Sequence, residues 1–131
     1  MIARCFEDLI VWQLAKNLQG EVFAFISRPS VARDFRFCDQ IRESTRSATR
    51  NTAEGFGRFD PPEFRRFLKI AAGSLHETKN HLHDALASGY LVPAEHERLV
   101  RLTLRAIKAN NRLQAYLARC GRSKPTSRSG S

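Results

Sequence analysis

Leu9, Trp12, Ala15, Leu18, Val22 and Ile26 recur at steps of three and four. That spacing puts them on one face of a helix predicted from about Leu9 to Ser27. Arg28-Pro29-Ser30 should end it, because the residue before a proline is pushed out of the helical region. A second helix is expected from about Asp34 to Glu54. Its inner face is Phe37, Cys38, Ile41, Ser44, Thr45, Ala48 and Thr52, apolar but rich in small residues. Arg36, Asp39, Arg42, Glu43, Arg46 and Arg50 occupy the opposite side. Gln40, Ser47, Asn51 and Glu54 form a narrow polar stripe between the two faces.

Gly55-Phe56-Gly57 should close the second helix, with glycine supplying a left-handed cap. In Asp60-Pro61-Pro62-Glu63, an N-cap acid precedes a proline at the first helical position, and a glutamate follows three residues after the cap. A third helix therefore runs from there to near Ser88-Gly89, with Phe64, Phe67, Leu68, Ala71, Leu75, Thr78, Leu82 and Ala85 inward. A solvated Gly73 in its middle would cost about 1 kcal/mol against alanine. Gly73 and Ser74 are thus expected to meet another backbone. The fourth helix, about Ala94 to Arg119, carries the seam Leu99, Leu102, Ala106, Ala109, Leu113 and Tyr116. No segment alternates as a strand does. The fold expected is all-α, an up-down-up-down four-helix bundle over residues 1–119.

The 131 residues contain 22 Lys/Arg and 13 Asp/Glu, a formal charge of +9. The excess is uneven. Residues 1–60 hold nine bases against eight acids, residues 61–119 ten against five, and residues 120–131 three and no acid. Such a balance points to a polyanionic partner. The last dozen residues have almost nothing to bury and are expected to form a disordered basic tail. No apolar run approaches the roughly 20 residues of a membrane span. The opening residues carry acids early, unlike a signal peptide. Cys5, Cys38 and Cys120 are too scattered for a disulfide framework or zinc knuckle, which fits a reducing cytoplasm.

The sharpest charge feature lies on the fourth helix. Arg98, Arg101, Arg105, Lys108 and Arg112 repeat the seam's spacing one residue ahead of it. They form a strip roughly 21 Å long at 1.5 Å per residue. Duplex nucleic acid offers a phosphate charge about every 1.7 Å of axis, so the strip could meet several. A subunit seam and an ordinary solvated face are the other readings of the same pattern. Arg119 and Arg122 would extend the basic surface. The stripe Arg42, Arg46 and Arg50 is offset by Asp39 and Glu43. Glu77, His81 and Asp84 share a face, but a di-iron bundle needs more inward carboxylates and a second histidine. No metal or cofactor is expected. Ser47 and Ser74 lack a neighbouring histidine and no nucleophile elbow is present, so no catalytic residue is assigned. The Gln40, Ser47, Asn51, Glu54 stripe must be hydrogen-bonded if buried; Ser74, the Gly55–Arg58 turn or another subunit could provide the partners.

Several segments together resemble a known family. They are Phe6-Glu7-Asp8-Leu9-x-Val11-Trp12-Gln13, Gln40-Ile41-Arg42 with Ser47, Asn51-x-Ala53-Glu54-Gly55-x-Gly57-Arg58, and Glu63-Phe64-x-x-Phe67-Leu68 leading to Gly73-Ser74-Leu75-x-Glu77. They are similar to the bacterial four-helix bundle proteins encoded in intervening sequences of 23S ribosomal RNA genes, and to the related accessory proteins of diversity-generating retroelements. The resemblance implies a ring-like homo-oligomer, a homopentamer in relatives. It implies nucleic-acid and reverse-transcriptase binding through basic surfaces in the retroelement group, and it assigns no catalytic residue. Glu43, Arg46, Thr49, Arg50 and Thr52 make this second helix more polar than the family pattern. The expectation is a non-enzymatic, cytoplasmic, oligomeric bundle that binds RNA or DNA, with no membrane partner. The alternative is an adaptor docking an acidic protein.

Overall fold

A computed structural model describes residues 9–123, with side chains as far as Cys120. Cys5, the side chain of Arg122 and residues 124–131 lie outside the described residues. The chain is all-helical over the described residues: α1 (Ile10–Ile26), α2 (Pro29–Ala32), α3 (Phe35–Phe56), α4 (Pro61–Ala87) and α5 (Pro93–Ser123).

Local chemistry sets most helix boundaries. The Asp34 carboxylate accepts from the Phe37 amide at 3.2 Å and starts α3. Asp60 accepts from the Glu63 amide at 3.2 Å, and Pro61 occupies the first turn of α4. One element was not legible beforehand. Arg28 is extended (φ −64°, ψ 139°), as a residue before proline should be, but Pro29 then opens the one-turn α2 instead of a plain loop. Val31 on that turn is wholly buried and plugs the core.

The α3–α4 turn corrects a second expectation. Gly57 caps α3 in the right-handed region (φ −70°), so neither Gly55 nor Gly57 forms a left-handed cap. The positive φ falls on Phe59, at 54°. Gly55 stays inside the helix for a steric reason: a Cβ there would lie 2.7 Å from Phe67 Cβ and 2.9 Å from Phe64 Cδ1. Gly89, after α4, does take a left-handed φ of 79°.

The four long helices pack around a shared core, each against two others. Ser44 meets Thr78, Ser47 meets Ser74, and Gly55 meets Phe67, so position falls along α4 as it rises along α3. Asn110 on α5 reaches the Leu68 carbonyl at 3.0 Å, and His96 reaches His83. Thr49 bonds Gln19 on α1 at 2.9 Å, and Arg98 pairs with Glu21 at 3.1 Å. The main apolar cluster includes Leu18, Val22, Ile41, Leu75, Leu82 and Leu99. A smaller one, Leu9, Val11, Phe64, Leu68 and Leu117, holds the opposite end.

Hydroxyls line much of α3's buried face without penalty because they bond locally. Thr45 donates to the Ile41 carbonyl and Thr52 to that of Ala48. The α5 seam is rotated from the expected one. Leu99, Thr103, Ala106 and Asn110 are fully or almost fully buried and Leu117 nearly so, whereas Leu102, Ala109 and Leu113 sit at the flank and Tyr116 is 54% exposed. Thr103 and Asn110 fit the seam because their polar atoms are satisfied, by the Leu99 and Leu68 carbonyls.

Two further expectations are corrected. Gly73 is exposed, with nothing within 4 Å of where a Cβ would be. The close α3–α4 approach uses Ser74 and Gly55. Helix α5 also runs through Ser123, past the end near Arg119 expected of the fourth helix. Among the described residues no helix is long and apolar enough to cross a membrane. Cys38 and Cys120 form no disulfide among the described residues, and Cys38 is buried against the Val31 carbonyl at 3.4 Å.

Candidate nucleic-acid interface

Arg98, Arg101, Arg105, Lys108 and Arg112 are all exposed on α5. The first two have acidic neighbours. Arg98 contacts Glu21 of α1 at 3.1 Å, and Arg101 lies 3.5 Å from Glu97 one turn away. Their side chains stay well exposed, 49% for Arg98 and 63% for Arg101, so these pairs are solvent-screened and worth little. Arg105, Lys108 and Arg112 have no ion pair among the described residues. The uncompensated part of the strip is therefore its C-terminal half, spanning about 10 Å of helix.

A shallow groove of about 460 Å³ runs beside the strip, lined by Arg98, Arg101, Leu102, Leu104, Arg105 and Lys108. Leu104 is 45% exposed there. The surface therefore combines cationic rims with an apolar floor. Next to it Arg112 borders a second recess of about 350 Å³, otherwise formed by Leu9, Ile10, Val11, Ala109, Leu113 and Tyr116. The Arg119 guanidinium lies 5.9 Å from the Tyr116 ring centre, which continues the basic edge toward the helix end.

The basic residues of α3 are differently engaged. Arg42 pairs with Asp39 at 2.8 Å, Arg50 with Glu43 at 3.2 Å, and Arg46 stacks over Phe23 at 5.2 Å. That stripe is largely self-neutralised. Among the described residues α5 presents a row of three exposed cations, Arg105, Lys108 and Arg112, that make no ion pair.

The polar stripe of α3 divides. Ser47 and Ser74 meet at 2.6 Å, and Asn51 donates to both the Ser47 hydroxyl and its carbonyl. Glu54 holds Arg58 at 2.9 Å, and that guanidinium lies over the Phe67 ring at 5.0 Å. Gln40 is exposed and stands apart. Gly57 lies in the exposed turn, and Gly73 faces outward. These contacts tie α3 to α4 and arrange no nucleophile with a base.

His81 is buried with Glu77 at 3.7 Å, and Asp84 is exposed. Among the described residues no three potential metal ligands cluster. The sequence reading missed the pairing of His83 and His96, whose ring nitrogens lie 2.9 Å apart. Its only advance signal is antiparallel register. If Leu68 faces Asn110 across α4 and α5, residue 83 must face a residue near 95 or 96.

The family described as 23S rRNA-intervening sequence protein matches residues 7–112. The chain belongs to that family. No curated protein matches it. The 23S rRNA-intervening sequence protein match takes in α1, α3, α4 and the whole five-cation strip, and ends on Arg112. Arg119 and Arg122 lie beyond it. The basic extension of α5 is thus outside the family's matched length, whereas the strip and the Ser47, Asn51, Ser74 network are within it.

Proposed function

We propose that this 23S rRNA-intervening sequence protein is a non-enzymatic, up-down-up-down four-helix bundle that assembles into a ring-like homo-oligomer, a pentamer, and binds RNA or DNA through phosphate contacts. The observation that carries the binding is the row Arg105, Lys108 and Arg112, exposed and without an acidic partner among the described residues. Three like charges within about 10 Å repel one another until an anion arrives. A polyanion removes that repulsion and releases its own counterions, so binding needs no base readout. Multiplying a +9 chain around a ring would strengthen the field further. Contacts in which position along one helix falls as its neighbour's rises support the up-down order. The outward Gly73 beside Ile70, itself 43% exposed, supports a surface for a second copy.

The test is binding of a labelled nucleic acid at about 50 and 200 mM salt. Affinity should fall steeply between the two, and Arg105→Glu, Lys108→Glu and Arg112→Glu together should remove it without lowering thermal stability. Sedimentation of the full chain reads the assembly. A monomer at micromolar concentration would end the ring proposal.

One observation favours a second reading. The apolar floor at Leu102 and Leu104 suits a protein partner better than a phosphate chain. In that case the strip docks an acidic protein, such as a reverse transcriptase or a ribosome-associated factor. Binding of nucleic acid that survives the triple reversal would favour this reading.

A further inference from the structure

We infer that His83 and His96 form a binding site for a divalent late first-row transition ion such as Zn²⁺. His83 stands one turn before the end of α4, and His96 stands in the first turn of α5. The five-residue turn between these helices folds them antiparallel, and the pair lies across it. Nδ1 of His83 and Nε2 of His96 approach to 2.9 Å, with ring centres 5.1 Å apart and planes at 46°.

Two nitrogens bound to one ion at about 2.0–2.1 Å, subtending 90–110°, lie about 2.9–3.4 Å apart. The observed separation is at the near edge of that range. A hydrogen bond aims the two facing nitrogens along the line between them, so each ring must turn by about 35–45° for its lone pair to meet an ion seated beside that line. In the ion-free protein one imidazole must donate to the other. In the bound form His83 carries its proton on Nε2 and His96 on Nδ1, leaving both facing nitrogens as lone-pair donors. Each ring keeps one proton, so the ion replaces a hydrogen bond without changing net protonation. Imidazole suits this class of ion. No third side-chain ligand clusters with the pair among the described residues, so water completes the coordination. His83 is exposed and His96 partly so, which leaves an entry path.

The ion would fasten α4 to α5 at the end where the cationic strip begins, two residues before Arg98. This inference is independent of the nucleic-acid proposal, because it rests on neither the strip nor assembly.

The test uses the untagged full-length chain titrated with ZnCl₂. Calorimetry gives stoichiometry, and imidazole nitrogen NMR shows which rings respond. The expected result is one ion per chain with His83 and His96 shifting together. His83→Ala and His96→Ala should each weaken binding by about tenfold or more, while His76→Ala leaves it unchanged. Circular dichroism of each variant confirms the fold. Absence of binding, a response of only one of the two rings, or wild-type affinity in either alanine variant would overturn the assignment.

Discussion

Gly55 sits so close to Phe67 that a side chain of even one carbon would overlap it, at 2.7 Å from Cβ to Cβ. The contact is fixed on both sides by helical backbone, so neither partner can swing away. Gly55→Ala should therefore destabilise the protein by about 1–3 kcal/mol, the usual cost of overpacking, despite alanine's better helix propensity. Gly73→Ala is the control. Its Cβ would point into open space, so it should stabilise by about 0.5–1 kcal/mol. Urea unfolding of the two variants checks the opposite signs. A loss of stability in Gly73→Ala would instead put a neighbouring copy against that face.

Asn110 is fully buried in the α5 seam. It donates to the Leu68 carbonyl at 3.0 Å and accepts from Gln114 at 2.6 Å. Asn110→Ala removes both bonds and leaves a small void. A loss of about 1–3 kcal/mol is expected from chemical denaturation. Gln114→Ala removes one bond at a partly exposed position and should cost less.

The three free cations of α5 should dominate the salt dependence of nucleic-acid binding. Removing one of Arg105, Lys108 or Arg112 should lower the slope of log K against log salt by about 0.7–0.9. Arg98→Ala should change it less, because Glu21 already holds that guanidinium at 3.1 Å. Fluorescence anisotropy across a salt series distinguishes the positions.

Acid should weaken the fold through two carboxylates near the α2 end of the bundle. The Tyr90 hydroxyl and the Phe37 amide donate to Asp34 and hold it below its ordinary value of 3.8. The Arg28 guanidinium and the Val92 amide do the same to Glu95, below 4.5. A folded value below the unfolded one means that the unfolded chain takes up the proton more readily. The stabilisation is complete above the ordinary values and disappears as pH falls through the folded ones. The contribution of these two carboxylates should therefore stay level from pH 7 to about 5 and drop below about pH 4. Tyr90→Phe should be less stable than the parent at pH 7, with the gap narrowing as Asp34 becomes protonated. Urea titrations at pH 7 and pH 3 read both effects.

The sequence alone determined the four long helices, because a repeat of three and four residues and the caps at Asp34 and Asp60 are local signals that need no partner. It also marked the family through its motifs and placed the five cations on one face of α5, which helical geometry fixes. Tertiary structure decided the rest. It converted Gly55 from a turn residue into a packing site, rotated the α5 seam onto Thr103 and Asn110, and turned Pro29 from a stop into the start of α2. It showed which cations Glu21 and Glu97 engage, and it brought His83 to His96. Each of these depends on what lies opposite a residue in an antiparallel neighbour. Hydrophobic periodicity gives a helix its inner face but leaves open how far neighbouring helices slide and turn against one another.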